Sequence, residues 1–158
     1  ERNDHRLFNI SIANKLSKGF IRNGHDTINF SYRNYLSKSP LIDASKLISL
    51  KINTVVDNYR PNLIVLGHNN IINHQTLTKI KKKYNSKFTL WYEDALGYRG
   101  KGPNWKNNLN LIEKNNDLID TYFVTTHPDE IKTSISKKKL NYLPIPVDEN
   151  IENLNVVD

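Results

Sequence analysis

The sequence predicts an α/β fold in which helices cover both faces of a mostly parallel sheet, and three observations support this prediction. Short runs of apolar and β-branched residues alternate along the chain with longer segments of helical periodicity. The run at residues 63–66 is continuously apolar and the run at 88–92 consists of large and β-branched residues, and both are typical of strands buried between two layers of helices. Each run ends in polar residues that lead into another segment. This succession favours right-handed crossovers and a Rossmann-like three-layer α/β/α domain.

The first predicted elements are a helix and a strand. Residues 6–22 carry apolar side chains at i, i+4 spacing, which is the stripe of an amphipathic helix. Asn23 and Gly24 predict its end, because glycine readily takes the left-handed conformation after a helix. Residues 26–31 alternate polar and apolar side chains and predict a strand. An alternating fold should place a strand before this helix, so we expect a first strand to be missing upstream of Glu1.

The next segments continue the alternation. We expect a loop at residues 32–39 and a second helix at 41–59, which ends at the break formed by residues 60–62. Four consecutive apolar residues at 63–66 predict a strand that helices cover on both faces. A third helix is predicted at 73–84.

The stretch from Phe88 to Pro103 is the most informative part of the sequence. Its first five residues are large or β-branched and predict a strand that is buried on both faces. Glu93 and Asp94 follow as adjacent carboxylates, and the chain then enters a glycine-rich loop. Acidic side chains where a buried strand opens into such a loop indicate a site outside the carboxyl end of the sheet.

The remaining segments repeat the pattern. They are a helix at residues 104–115, a strand at 119–125, a helix that begins at Pro128, and a short strand at 141–148. We therefore predict one domain over residues 1–148. Residues 149–158 are predicted to begin an interdomain linker or a tail.

Composition restricts the classes of protein. The chain has 158 residues, no cysteine and a net charge of +7, so disulfides and thiolate metal sites are excluded. The sequence has no apolar run of the ~18 residues that a membrane helix needs. It shows no secretory signal pattern, and we expect a cytoplasmic protein. The lysine clusters at 79–83 and 137–139 are interpreted as solvated helix ends, which disfavours nucleic acid as a partner. Peripheral contact with an anionic membrane stays open.

Polar groups follow three successive predicted strands. Because the carboxyl ends of parallel strands meet at one edge of a sheet, we expect these groups to converge on one cleft. Asn70 and Thr126, taken singly, are better interpreted as helix caps. These groups are His68, Asn69 and Asn70 after one strand, Glu93 and Asp94 after the next, and Thr125, Thr126 and His127 after the third, and all of them except Thr125 are candidate site residues.

Glu93 and Asp94 are the candidate catalytic residues. A carboxylate at the mouth of an apolar sheet is expected to have a raised pKa, which suits a general base. The alternative is a helix cap or a salt bridge to Arg99 or Lys101. We predict no metal site, because the histidines and carboxylates lack the paired spacing of metal ligands.

The glycine-rich loop and its aromatic neighbours are candidates for substrate binding. The glycines match neither the dinucleotide fingerprint nor the phosphate-binding loop, so a dehydrogenase and a P-loop nucleotidase are both disfavoured. Gly97, Tyr98 and Trp105 are the substrate-binding candidates here, since aromatic side chains at a cleft mouth suit stacking on sugar rings. Trp91 is assigned to the core instead.

Several segments resemble a known enzyme family. The helix end and turn at residues 19–26 are similar to a segment in the first domain of two-domain (GT-B type) glycosyltransferases that use nucleotide sugars. The Trp-Tyr-Glu-Asp sequence at 91–94, followed by the segments at 120–125 and 143–148, resembles the spore-maturation-protein-like branch of that family. The resemblance spans most of the chain, and each motif is loose.

This resemblance implies the acceptor-binding half of a glycosyltransferase. An acceptor hydroxyl of a sugar or glycan would attack the anomeric carbon of the donor directly, with no cofactor and no obligatory metal. The nucleotide sugar would be bound mainly by a missing C-terminal domain, so this half alone would be inactive. The resemblance makes Glu93 and Asp94 the base or acceptor contacts, with His68, Asn69, Thr126 and His127 beside them.

Three alternatives remain at this point. A non-catalytic flavodoxin-like or nucleotide-binding module would show acids after its first strand and a lysine after its last, and neither is visible. Half of a nucleotide-sugar epimerase shares the two-domain layout. A nucleic-acid-binding accessory domain rests on net charge alone.

Overall fold

The computed structural model describes residues 10–36, 43–68, 71–97 and 104–149. The chain divides into two compact units, a division that the sequence pattern did not indicate. One unit combines Glu1–Ile42 with Ile145–Asp158, and the other is Asp43–Pro144.

The first unit contains helices α1 (Ile12–Arg22) and α2 (Arg33–Leu36). Helix α1 ends as predicted, with Asn23 at its C-cap and Gly24 at a φ of 80°. The helical turn α2 lies inside residues 32–39, so the prediction of a loop there is wrong for that turn.

The predicted strand at residues 26–31 is wrong, because these residues join no sheet. The alternating pattern would bury Ile28, yet this side chain is largely exposed. On the other side of the segment, the Thr27 hydroxyl bonds to Ser17 of α1 at 2.8 Å. Contact with the helix therefore replaces strand pairing.

The second unit contains a parallel sheet of four strands in its described residues, and the strands lie in sequence order. Its helices flank the sheet, an architecture consistent with the predicted Rossmann-like three-layer fold. In chain order the elements are α3 (Ala44–Tyr59), β1 (Leu63–Leu66), α4 (His74–Tyr84), β2 (Lys87–Tyr92), α5 (Trp105–Glu113), β3 (Thr121–Val124) and β4 (Leu140–Tyr142).

Local side chains explain where α3 and α4 begin and end. The Asp43 carboxylate accepts hydrogen bonds from two amides of the first turn of α3, and the Asn73 side chain accepts one from the first turn of α4. Arg60 and Asn85 end these helices in the left-handed conformation, with φ of 46° and 52°. The two helices and α5 confirm the predicted ones; the predicted start of α3 at residue 41 lies outside the described residues.

Strand β2 forms the centre of the core. Its residues from Phe88 to Tyr92 are all buried, which confirms the predicted burial on both faces. Strand β1 is at an edge of the described sheet, and its Leu63 and Val65 are exposed. Leu63 and Val65 share one face, so the prediction that helices cover β1 on both faces is wrong for that face in the described residues.

The last predicted elements are shorter than expected. The helix predicted from Pro128 is a single 3₁₀ turn, Pro128–Glu130. The chain then becomes extended at Ile131, whose side chain enters the core, and this burial replaces further helical turns. Strand β4 ends at Tyr142 because Pro144 and Pro146 have no N–H groups for a ladder. In the described segments, no helix has the length and apolar character to cross a membrane.

Candidate active site

The strand register brings the ends of β1, β2 and β3 together. Leu66 of β1 is paired with Leu90 of β2, so His68 lies level with Tyr92, two residues further along both chains. Side chains two residues apart share a face of a sheet. The rings of His68 and Tyr92 accordingly lie 4.6 Å apart, centroid to centroid. The predicted convergence of polar groups at this edge is confirmed for the first two strands.

His68 lies between two carboxylates. Its Nε2 atom is 3.2 Å from Oε1 of Glu93, and its Nδ1 atom is 3.8 Å from Oδ2 of Asp94. The first distance permits a hydrogen bond, whereas the second exceeds hydrogen-bond range. The Glu93 side chain is 28% exposed and that of Asp94 is 52% exposed, so Asp94 is the more open of the two carboxylates.

The hydrogen bond with His68 changes the acidity of Glu93. It is the main reason that the pKa of Glu93 lies below its ordinary value of 4.5, and it outweighs the opposing effect of burial. The expectation of a raised pKa for this carboxylate is therefore wrong. Glu93 stays ionised near neutral pH and is suited to orienting an imidazole, as the carboxylate of a catalytic triad does.

Tyr92 is buried beneath this group. Its side chain is 2% exposed, and its hydroxyl has no hydrogen-bond partner among the described residues. Burial raises the pKa of Tyr92 to about 12, and the negative charges of Asp94 and Glu93 add to this effect. The hydroxyl therefore stays protonated at neutral pH.

Hydrogen bonds from the end of β3 fix the backbone that follows β2. The Thr125 hydroxyl donates to the Glu93 carbonyl at 2.7 Å, and the Leu96 amide donates to the Thr126 hydroxyl at 3.0 Å. The Asn108 side chain of α5 donates to the Ala95 carbonyl at 3.1 Å. Thr126 thus joins the convergent edge, where it holds the chain that carries Glu93.

Gly97 has a packing role in this loop. A Cβ atom added to it would lie 3.1 Å from the Glu130 carbonyl oxygen and 3.4 Å from Cγ2 of Thr126. The residue is therefore placed where two backbone segments approach closely, and a side chain would force them apart.

The structure places the other predicted residues as follows. His127 caps the 3₁₀ turn by accepting the Asp129 amide, and its ring lies 5.9 Å from that of Tyr142. Trp105 is the first residue of α5, with the Lys106 ammonium 5.6 Å from its ring centroid. Asn69, Asn70 and Tyr98 lie outside the described residues, and so do Arg99 and Lys101.

Two residues of the site were expected near the cleft but were assigned no catalytic or binding role, namely Tyr92 and Thr125. The sequence contained a signal for Tyr92, because a period of two places it on the face of Leu90, but the register with β1 was unknown. Thr125 could have been given a role from the sequence, because it directly precedes Thr126 at the end of the same predicted strand.

No set of three or more histidine and carboxylate side chains is arranged as metal ligands within residues 10–36, 43–68, 71–97 and 104–149. Comparisons of the chain with protein-family models, with curated proteins and with solved structures found no match.

Proposed function

We propose that this chain is the acceptor-binding part of a glycosyltransferase and that His68 is the base that activates the acceptor hydroxyl. The observation that carries the proposal is the 3.2 Å contact between Nε2 of His68 and the ionised Glu93 at the carboxyl edge of a parallel sheet. This edge is where open α/β sheets bind their substrates. The sequence resemblance to two-domain glycosyltransferases supports the same function.

The contact with Glu93 indicates which ring nitrogen of neutral His68 carries the proton. A carboxylate accepts a hydrogen bond from Nε2–H, so Nδ1 is the basic nitrogen of the neutral ring. Nδ1 is also the atom that faces Asp94. An acceptor hydroxyl that donates to Nδ1 would be placed beside both groups, within reach of proton transfer.

The reaction follows from this arrangement. The acceptor oxygen forms a bond to the anomeric carbon of the donor while the bond from that carbon to the nucleotide phosphate breaks. The hydroxyl proton passes to Nδ1 of His68, and the nucleoside diphosphate leaves with the bonding electrons. The imidazolium that forms is stabilised by the charges of Glu93 and Asp94. The donor would be held mainly by a second domain, as the resemblance implies.

The described site gives no support to a nucleotide-binding module. Two carboxylates flank a single imidazole, so a phosphate group at the same position would meet net negative charge. In the proposed function, the donor phosphate and the acceptor would therefore occupy different places, as in a two-domain glycosyltransferase.

Transfer can be measured with the full-length protein that contains this chain, a panel of nucleotide sugars and a panel of sugar acceptors, with released nucleotide and product both quantified. The variant His68→Gln should lower the rate about 10²- to 10⁴-fold, the usual contribution of a general base. His74→Gln is the matched control, because His74, the first residue of α4, pairs with Asp117 and has no role in the proposed reaction. Equal rates in the two variants would remove His68 from the mechanism.

A further inference from the structure

Two polar groups beside His68 have hydrogen-bonding capacity that the described residues do not use. The Tyr92 hydroxyl has no hydrogen-bond partner in the part of the chain that the structure describes, although the residue is only 2% exposed. The contact of Asp94 with His68 is 3.8 Å long, too long for a hydrogen bond. Buried polar groups in folded proteins nearly always have a partner, so an unused hydroxyl here points to a ligand.

The local charge indicates which kind of ligand fits. Glu93 and Asp94 bring two negative charges to one imidazole, so the described part of the site is negative whether His68 is neutral or protonated. This sign is opposite to the net charge of +7 of the chain. A negative, partly desolvated site attracts a cation.

The available oxygens fit a primary ammonium group. Such a group offers three N–H donors, and the carboxylates of Asp94 and Glu93 together with the Tyr92 oxygen are acceptors. A neutral hydroxyl could use the same oxygens, but it would leave the two charges uncompensated.

We propose that the site binds a ligand with a protonated primary amine, held by Asp94 with Glu93 and Tyr92, and that the acceptor is therefore an amino sugar. The preference for an amine is argued from the charges and oxygens of the site. The further step, that the amine belongs to the acceptor sugar, rests on the proposed function. The hydroxyl to be glycosylated would lie next to the amine, so that the ammonium at Asp94 places it against Nδ1 of His68.

The test compares matched pairs of monosaccharides that differ in one group. Binding of glucosamine, galactosamine and mannosamine to the 158-residue chain is measured near neutral pH by nuclear magnetic resonance titration, beside glucose, galactose and mannose. At least one amino sugar should bind about tenfold more tightly than its parent, the size of one charge-assisted hydrogen bond. The chemical shifts that move should be those of residues around His68, Tyr92 and Asp94.

Two variants assign the preference to the site. Asp94→Asn should abolish it, because the amide is neutral. Asp129→Asn, which neutralises an exposed carboxylate at the 3₁₀ turn, should retain it. Equal binding of every pair, no binding of any amino sugar, or a preference that survives in Asp94→Asn would each overturn the proposal. If amino sugars bind but the full-length protein transfers nothing, the amine site stands and the proposed function fails. If the full-length protein transfers sugar to neutral acceptors alone, the proposed function stands and the amine site fails.

Discussion

The imidazole of His68 lies against the phenol ring of Tyr92, with ring centroids 4.6 Å apart, because the register of β1 and β2 sets both residues at the same level. The buried ring thus supports the exposed one from below. Glu93, the next residue after Tyr92, holds the imidazole from the side at 3.2 Å. Two consecutive residues of β2 and its following loop therefore fix the position of His68.

Removing the Tyr92 hydroxyl should not reduce the stability of the folded protein. In Tyr92→Phe a buried donor without a partner is removed, so the free energy of unfolding should stay the same or rise slightly. Tyr122→Phe is the matched change, because the Tyr122 hydroxyl donates to the Ile112 carbonyl at 3.2 Å in an equally buried place. It should lose about 1 kcal/mol. Urea unfolding of both variants gives the comparison, and a similar loss in both would mean that the Tyr92 hydroxyl has a partner.

Asp120 should make stability depend on pH at the opposite edge of the sheet. Its carboxylate accepts hydrogen bonds from the Lys81 ammonium and from the Phe88 amide, each at 2.8 Å. Burial acts to raise the pKa of Asp120, but these two bonds and the Lys81 charge hold it below the ordinary 3.8. A lowered folded-state pKa stabilises the protein above the unfolded pKa, and this contribution is lost as pH falls through the folded value.

Asp120→Asn should therefore lower the free energy of unfolding by about 1–2 kcal/mol at neutral pH, near the lower end of the range for hydrogen bonds to a charged group, because both side chains are partly exposed. The difference from the wild type should shrink as pH falls below about 4, because the unfolded chain takes up the proton there first and the folded Asp120 follows at lower pH. Urea unfolding at several pH values measures it, with the exposed Asp129→Asn as control. A difference that is constant down to strongly acidic pH would show that the charge of Asp120 is not responsible.

The convergence of His68, Glu93 and Thr126 could be predicted from sequence because it follows from topology alone. Any parallel sheet brings the carboxyl ends of neighbouring strands to one edge, and the apolar runs indicated such a sheet. The buried character of β2 was predictable for the same reason, since residues 88–92 are large and β-branched.

The acidity of Glu93 could not be predicted, because it depends on a 3.2 Å distance that the register sets. A strand shifted by one residue would turn His68 to the other face. The strand predicted at 26–31 and the helix predicted from Pro128 failed for another reason. Their local patterns fit regular structure, but contact with Ser17 in one case and burial of Ile131 in the other decided the outcome.

The most direct test of the account is the titration of the Glu93 side-chain carboxyl carbon by nuclear magnetic resonance, in the wild type and in His68→Gln. The midpoint in the wild type should lie below the ordinary value of 4.5, because the hydrogen bond and the charge of His68 favour the ionised carboxylate. In His68→Gln the midpoint should move upward, while His74→Gln should leave it unchanged. If the midpoint is the same with and without the imidazole, the two side chains do not form the pair on which the proposed catalysis depends.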